Sequence, residues 1–550
     1  MASRRTVLRN GHVFDGHRYR PGTGLVLDGD RILAVVPDRQ LHEYADRAAA
    51  VVDLAGGLVL PGFQDAHVHA VQGGLERLRC DLSGLTSRGE YLAAVADYVA
   101  RHPGRDWVVG AGWSISAFGT TGPSARDLHA VAAGRPVFLT NRDHHGAWVS
   151  AAALRLAGID ARTPDPPDGR IERDSQGRPT GLLHEGAMDL VVALLPDTGP
   201  EEHYQALLVA QEYLHSQGIT AWQDAILGDY AGIEDPSAAY LRGAASGDLT
   251  ARVRGALWWD RNRGAAQIPD LVQRRARLTR GKLDAGAVKV MQDGIAENFT
   301  AGMSRPYLDG CGCRTGNRGL SFIDPVALRE HVTGLDAHGF QVHVHAIGDR
   351  AVHEALDAFE AARTANGPGD HRHHIAHLQV VHPADRSRFA ALEVTATVQP
   401  YWAHLDDQMS EFTIPFLDPE SVGWQYPFGD LARAGAKLAA GSDWPVTTPN
   451  PLLGIHVAVN RTAYGEPGPA GTEAFLPAQA LGLAQALAAY TSGSAFVNHL
   501  DGTGTLAPGR LADLALLDRD PFGAGPEEIG AATVVATYVD GVAVFGGEPG

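Results

Sequence analysis

Cysteine is nearly absent: Cys80, Cys311 and Cys313 are the three in a chain of 550 residues. An odd, low count excludes a disulfide framework and points to a reducing, cytoplasmic setting. Cys311-Gly312-Cys313 is a weak metal motif, because no partner ligands accompany it. No apolar run is long enough to span a membrane, and no apolar stretch follows the opening Met1-Ala2-Ser3-Arg4-Arg5-Thr6, so neither a signal peptide nor a twin-arginine leader is expected. Basic residues are also in deficit. With 46 Lys and Arg against 64 Asp and Glu, the formal charge of -18 argues against nucleic acid or an anionic membrane as partner. Internal repeats and low-complexity tracts are missing too. What is present is ordinary for a globular chain, 44% hydrophobic and 20% charged, and too long for a single core. A large enzyme domain with a smaller companion is expected.

The most telling segment is Leu60-Pro61-Gly62-Phe63-Gln64-Asp65-Ala66-His67-Val68-His69, an apolar strand that ends in His-x-His. Successive side chains of a strand point to opposite faces, so His67 and His69 share a face and can reach one metal ion. Strand-like and helical stretches then alternate, as in a parallel α/β barrel. Eight strand candidates are Phe63 to His69, Gly218 to Asp224, Ala251 to Trp258, Ala287 to Asp293, Gln341 to His345, His373 to Leu378, Val394 to Pro400 and Lys437 to Asp443. Helical stretches between them include Glu201 to Ser216, Pro325 to His338, Ala351 to Asn366 and Pro383 to Leu392.

Both ends of the chain read instead as short strands with turns. Thr6 to Val13, Gly24 to Leu27, Arg31 to Val36 and Ala50 to Leu54 stand at one end, and Ala512 to Leu517, Thr533 to Val539 and Val542 to Phe545 at the other. The expectation is a (β/α)8 TIM barrel with a discontinuous β-sandwich formed by both termini and a large insertion after barrel strand one. The sandwich takes residues 1–62 and 491–550, strand one 63–71, the insertion 72–200 and the rest of the barrel 201–490. The insertion has strands of its own (Trp107 to Ala111, Pro136 to Thr140) and a surface loop over Arg162 to Pro179. Because it follows the His67/His69 strand, it should lie over the pocket.

A hydrolytic metal site on such a barrel needs imidazoles and carboxylates converging at strand C-termini. The candidates arrive in order: His67 and His69 on strand one, Lys289 on four, His345 on five, His377 on six and Asp443 on eight. A single imidazole on an apolar strand is more often a hydrogen-bonded core residue. His343 and His374 show the difficulty, since each precedes a better candidate and needs the opposite face or a different depth. A buried Lys289 is harder to explain blandly, because an isolated ammonium there is costly. The ordered set decides for a metal-dependent hydrolase.

The chain resembles the amidohydrolase superfamily, in the family-3 branch of N-substituted formamide deformylases and YtcJ-like proteins. The resemblance runs over nearly the whole length. It is carried by Asn10-Gly11-His12-Val13, Leu60-Pro61-Gly62-Phe63 with His67 and His69, Asp143-His144-His145 with Trp148, and Pro179-Thr180-Gly181-Leu182-Leu183-His184-Glu185. Lys289 with Asp293-Gly294, His345-Ala346-Ile347-Gly348-Asp349-Arg350-Ala351, Gln399-Pro400, Gly441-Ser442-Asp443 and Pro508-Gly509-Arg510-Leu511-Ala512-Asp513-Leu514 continue it. Ala376 and Ser150 depart from the family pattern, which commonly has Glu and Asn there; both changes bear on substrate rather than on ligation.

The resemblance implies that Lys289 is carboxylated by carbon dioxide and that the carbamate bridges two divalent metals. One ion takes His67, His69 and Asp443, the other His345 and His377. Zinc suits the donor set, with manganese, iron or cobalt as alternatives, and one ion or two remain open. Glu185 is a rival carboxylate ligand, ranked below Lys289. The implied reaction is hydrolysis of an amide, N-substituted formamide or carbamate of a small molecule by metal-activated hydroxide, with Asp443 as proton shuttle and His145 stabilising the oxyanion. Trp113, Trp148, Trp402 and Trp444 are candidates for an aromatic pocket, and Asp293 and Gln399 for substrate contacts. Two other readings stand beside this one, a heterocycle deaminase of the same superfamily and a non-catalytic metal-binding regulatory protein. A homo-oligomer is compatible with all three.

Overall fold

A computed structural model of the chain describes residues 5–44, 50–115, 117–118, 122–142, 144–166, 169–230 and 234–546. Asp143, of the motif Asp143-His144-His145, lies outside the described residues. All eight expected barrel strands form one parallel sheet in sequence order. They are Phe63–Val68, Ile219–Leu227, Arg252–Trp258, Leu283–Met291, Gln341–Ala346, His374–His377, Thr395–Val398 and Leu438–Ala440, barrel strands one to eight below. Strand four starts and ends earlier than its sequence suggests, so Asp293 stands in the loop beyond it rather than on the strand.

Between barrel strands one and eight the ring closes through the residues that follow strand eight. Asp443 N donates to His67 O at 2.8 Å, and His69 N donates to Trp444 O at 2.8 Å. The buried carboxylate of Asp65 accepts from His67 N at 3.0 Å, Ser442 N at 3.0 Å and Ser442 Oγ at 2.6 Å. Gly441 makes this approach feasible, since a Cβ there would lie 2.6 Å from His67 N.

Helices Pro200–Ser216, Ile268–Leu278, Pro325–Ala337 and Asp349–Asn366 flank the sheet and bury apolar faces in the same core. Asp324 caps one of them, accepting from Val326 N and Ala327 N ahead of Pro325 at the first helical position. The stretch read as one helix from Pro383 is a 3-10 turn, Pro383–Asp385, followed by the helix Arg386–Leu392.

Strands from both ends of the chain share sheets and a core. Leu514–Leu517 lies antiparallel to Leu58–Pro61, which pairs in turn with His12–Phe14. Leu8, Leu25, Ile32, Val59, Leu514 and Tyr538 belong to one apolar cluster. The reading of Thr6 to Val13 as a single strand is corrected: it is two, Arg5–Arg9 and His12–Phe14, in two different sheets. Asn10 has a φ of 59° and a Cβ on Gly11 would meet Gly57 O at 2.7 Å, so the chain crosses from one sheet to the other there.

The insertion builds its own six-stranded sheet, which includes Val108–Trp113, Val137–Asn141 and Gly146–Val149. The segment expected as a surface loop from Arg162 to Pro179 contains a strand, Gly169–Arg173, antiparallel to Pro179–Glu185. Its Gly and Asp residues mark the hairpin turn, where Asp174 N donates to Arg178 O at 2.9 Å and Gly177 has a φ of 77°. Among the described residues no helix is long and apolar enough to cross a membrane.

Candidate metal centre

His67 and His69 leave the end of strand one on the same face, and the closure just described sets Asp443 against them. One ligand atom from each of the three lies within 4.8 Å of the others. Asp443 Oδ1 is 3.1 Å from His67 Nε2 and 3.2 Å from His69 Nε2. Asp443 reaches that position with a φ of 57°, and His377 reaches the cluster with a φ of 79°. His377 Nδ1 stands 3.8 Å from Asp443 Oδ2, and its ring lies 4.7 Å from that of His67 and 4.4 Å from that of His345. Lys289, 2% exposed, places Nζ 3.4 Å from His67 Nε2. The structure thus brings together every residue expected as a ligand: His67, His69, Lys289, His345, His377 and Asp443.

The electrostatics suit a bound cation. Burial, with the Lys289 charge next, lowers the pKa of His67 to about 3. Burial holds His345 and His377 well below the ordinary imidazole range as well. These rings are therefore neutral lone-pair donors. Burial alone would raise Asp443, but the imidazoles of His67, His69 and His377 around it hold it well below the usual carboxylate range. Burial brings Lys289 down to about 7, so its uncharged amine, the form that reacts with carbon dioxide, is accessible near neutrality. Asp443 Oδ1 and His377 Nδ1 are buried and lack a well-formed hydrogen bond among the described residues. Buried polar atoms are ordinarily paired, so donors left without partners and aimed at one space fit a divalent metal.

Below this layer a second tier of polar side chains braces the first. His67 Nδ1 is 2.9 Å from His343 Nε2, the His343 and His374 rings are 4.0 Å apart, and His374 Nδ1 is 2.9 Å from Thr397 Oγ1. Lys289 pairs in register with His343, and His343 with His374. His343 and His374 thus differ from the ligand candidates in depth. A metal-ligating imidazole ordinarily has its other nitrogen engaged, and His343 does this for His67.

The cluster opens on a cavity of about 140 Å³. Its walls are mostly apolar (Leu75, Phe138, Met188, Ile226, Ile295, Ile347), and the insertion contributes Val109, Thr140, His144 and His145. His145 Nδ1 is 2.9 Å from Glu185 Oε2, and Asn298 Nδ2 donates to Glu185 Oε1 at 2.6 Å. Burial would raise the Glu185 carboxyl, but the charge and hydrogen bond of His145 outweigh it and hold the group below its usual range. Glu185 is accordingly a partner of His145, outside the ligand cluster and the cavity lining.

Three expectations about the pocket are corrected. Trp113 and Trp148 are fully buried in the insertion's own core, where each indole N–H donates to a backbone carbonyl at 2.8 Å, to Leu139 O and Ser124 O respectively. Of the four tryptophans only Trp402 lines the cavity, stacked on His377 at 5.3 Å; Trp444 is buried against Gly73 and Tyr213. Asp293 does not face the cavity: it accepts from Gly302 N at 2.9 Å, Ile347 N at 3.0 Å and Gly348 N at 2.9 Å and so ties down the loop after His345. Gln399 is fully buried away from the lining.

Some residues of the site went unread in the sequence. Asp65 precedes His67 by two on the same strand, a spacing that could have revealed it. Gln72, Glu76 and Arg79 continue from His69 at helical spacing along Ala70–Leu78 and its end, and all face the cavity. Tyr230, half-buried beside Trp258 at 4.7 Å between ring centres, has no sequence signal of its own.

A model of the amidohydrolase family matches residues 50–545. The chain belongs to the amidohydrolase family. Protein LONG AFTER FAR-RED 3 of Arabidopsis thaliana is 32% identical over 98% of this chain and 91% of its own length. The N-substituted formamide deformylase of Arthrobacter pascens is 27% identical over 94% of both chains. The solved structure of an uncharacterized metal-dependent hydrolase from Pyrococcus furiosus superposes with a TM-score of 0.70 at 26% identity, over 94% of this chain and 99% of that one. An amidohydrolase of this build is a metal-dependent hydrolase on a barrel of parallel strands, and the cluster at the C-terminal ends of those strands is where such barrels carry chemistry.

Proposed function

We propose that this amidohydrolase cleaves the carbon–nitrogen bond of a small-molecule amide, N-substituted formamide or carbamate at the His67, His69 and Asp443 cluster. The observation that carries the reading is the convergence of those three donor sets, beside Lys289, His345 and His377, on one cavity with mostly apolar walls. The formamide deformylase likeness supports the same bond type.

His67, His69 and Asp443 would hold one ion, and His345 and His377 a second, with Lys289 as a carbamate between them. The nitrogen and oxygen donor set suits zinc. A bound divalent ion supplies Lewis acidity and makes water a nucleophile near neutral pH. Asp443, kept ionised by its neighbours, accepts the water proton and returns it to the leaving nitrogen. His145, oriented through Nδ1 by Glu185, donates toward the carbonyl oxygen as negative charge develops there. The apolar walls hold the acyl or amine portion and keep bulk water out.

A deaminase would need an acidic proton shuttle soon after His345. Asp349 is engaged instead by Ser304, whose backbone N donates to it at 2.9 Å, and does not line the cavity. The test is metal analysis of the purified protein with a panel of N-formyl amines, N-acyl amines, carbamates and aminated heterocycles. Formate or another acid released with an amine is the expected product. Ammonia from a ring without an acid would replace this reading by deamination. Metal-replete protein inert across the panel would replace it by a non-catalytic role.

A further inference from the structure

The cavity has a second polar point, on the helix that follows His69. His69 caps the helix Ala70–Leu78, and Gln72, Leu75 and Glu76, with Arg79 just past its end, follow His69 along one face of it into the cavity. Glu76 lies about 10 Å along the helix axis from His69 at the α-helical rise. Among the described residues its carboxyl is touched by Gln72 and His144: Gln72 Nε2 donates to Oε1 at 3.3 Å, and His144 Nε2 is 3.4 Å from Oε1. Burial, with the nearby His69 charge next, lowers His144 to about 3, so that ring is neutral and does not balance the carboxylate. Arg79 also lines the cavity, but its guanidinium is paired elsewhere, with Nε donating to Glu202 Oε1 at 3.0 Å and Nη2 donating to Thr198 Oγ1 at 2.8 Å. The same cavity is lined by the apolar side chains of Leu75, Val109, Phe138 and Ile226.

Burial raises the Glu76 carboxyl to about 8, so near neutrality it stays largely uncharged until a cation arrives at the cavity to complete it. We propose that Glu76 is a specificity residue that receives a primary ammonium group of the substrate, separated from the scissile amide by an apolar spacer. This inference rests on the amide-hydrolase reading and names its substrate class: a mono-acylated or mono-formylated diamine, or a comparable N-acyl compound with a distal basic amine. Gln72 and His144 position the carboxylate, and Leu75 and Phe138 pack the spacer.

The test uses metal-replete enzyme and three probes of equal length, N-formyl-1,6-diaminohexane, N-formylhexylamine and 6-formamidohexanoate. The ammonium probe should have a kcat/KM about tenfold or more above the neutral one, with the carboxylate probe worst, as expected for one charge-assisted hydrogen bond. In Glu76→Gln the ammonium-to-neutral ratio should fall about tenfold, chiefly through KM. An unchanged ratio in E76Q, or preference for the carboxylate probe, would overturn the assignment. Calorimetric binding of the same three probes runs in parallel. If none is hydrolysed, formamide hydrolysis at this length fails by itself, while tighter binding of the ammonium probe that vanishes in E76Q still upholds the role of Glu76. Equal binding of all three probes sinks it.

Discussion

The mouth of the barrel and the core of the insertion are both buried and both rich in polar-capable rings, yet they are built in opposite ways. In the insertion Trp113 and Trp148 bury their indoles completely and give each N–H a carbonyl at 2.8 Å. At the barrel mouth Asp443 Oδ1 and His377 Nδ1 are equally buried and have no satisfactory partner. A buried polar atom with a partner stabilises the fold, whereas a group of them without partners, converging on one point, is reserved for a ligand. The contrast predicts that substitutions in the first region change stability and leave metal content intact, and that substitutions in the second do the reverse.

The sharpest test of that contrast is Asp443→Ala, which removes the proposed metal donor and proton shuttle together. Activity should fall about 10⁴-fold and metal content drop, while the circular dichroism spectrum stays native. His67→Ala should behave alike; wild-type metal content and turnover in either variant would break the comparison. Lys289→Ala should lose about 10³-fold in rate along with the second equivalent of metal. Acetate or propionate should partly rescue it by occupying the gap as a surrogate carboxylate. Density for an unmodified amine on Lys289 in a metal-loaded crystal would defeat the bridge and favour a single ion on His67, His69 and Asp443.

On the insertion side, Trp148→Ala should cost about 3–4 kcal/mol of stability, read by thermal or urea unfolding, with metal content unchanged. Metal loss without destabilisation would place Trp148 in the site after all. Asp65→Asn probes the join between the regions. It touches no substrate, yet it fixes the backbone of His67 and Ser442, so metal affinity should weaken about 10- to 100-fold in a chelator competition. The smallest effect belongs to Glu185→Gln. The Glu185 pKa is depressed in the fold, so its stabilising contribution is present above the ordinary carboxylate pKa of about 4.3 and is lost as pH falls through the depressed value. The variant should therefore be less stable than wild type by about 1 kcal/mol at neutral pH, and the difference should close on acidification. A constant difference across that range would show that Glu185 acts through packing alone.

Local pattern was enough to reveal the eight barrel strands, the His-x-His end of strand one and the β-rich character of both termini. Strand alternation, helix spacing and turn chemistry act over a few residues, and those interactions survive in the chain order itself. The sequence also pointed to the six residues that converge here, because five stand at or near the ends of apolar strands and Lys289 is an ammonium inside one. What it could not decide was depth and partnership. Alternation puts His343 on the face of His345 but does not show that it lies one tier lower, and it puts His374 and His377 on opposite faces, whereas the positive φ of His377 turns its ring into the cluster. Trp113 in an insertion motif reads the same whether it lines a pocket or fills a core. Only tertiary structure set those roles. It closed the barrel between strands one and eight, used Gly441 and Asp65 to bring Asp443 beside His67, gave the tryptophans their carbonyl partners and left Glu76 facing the cavity without a cation. These outcomes depend on which distant groups fill each other's hydrogen bonds and space, and that is decided when the elements pack.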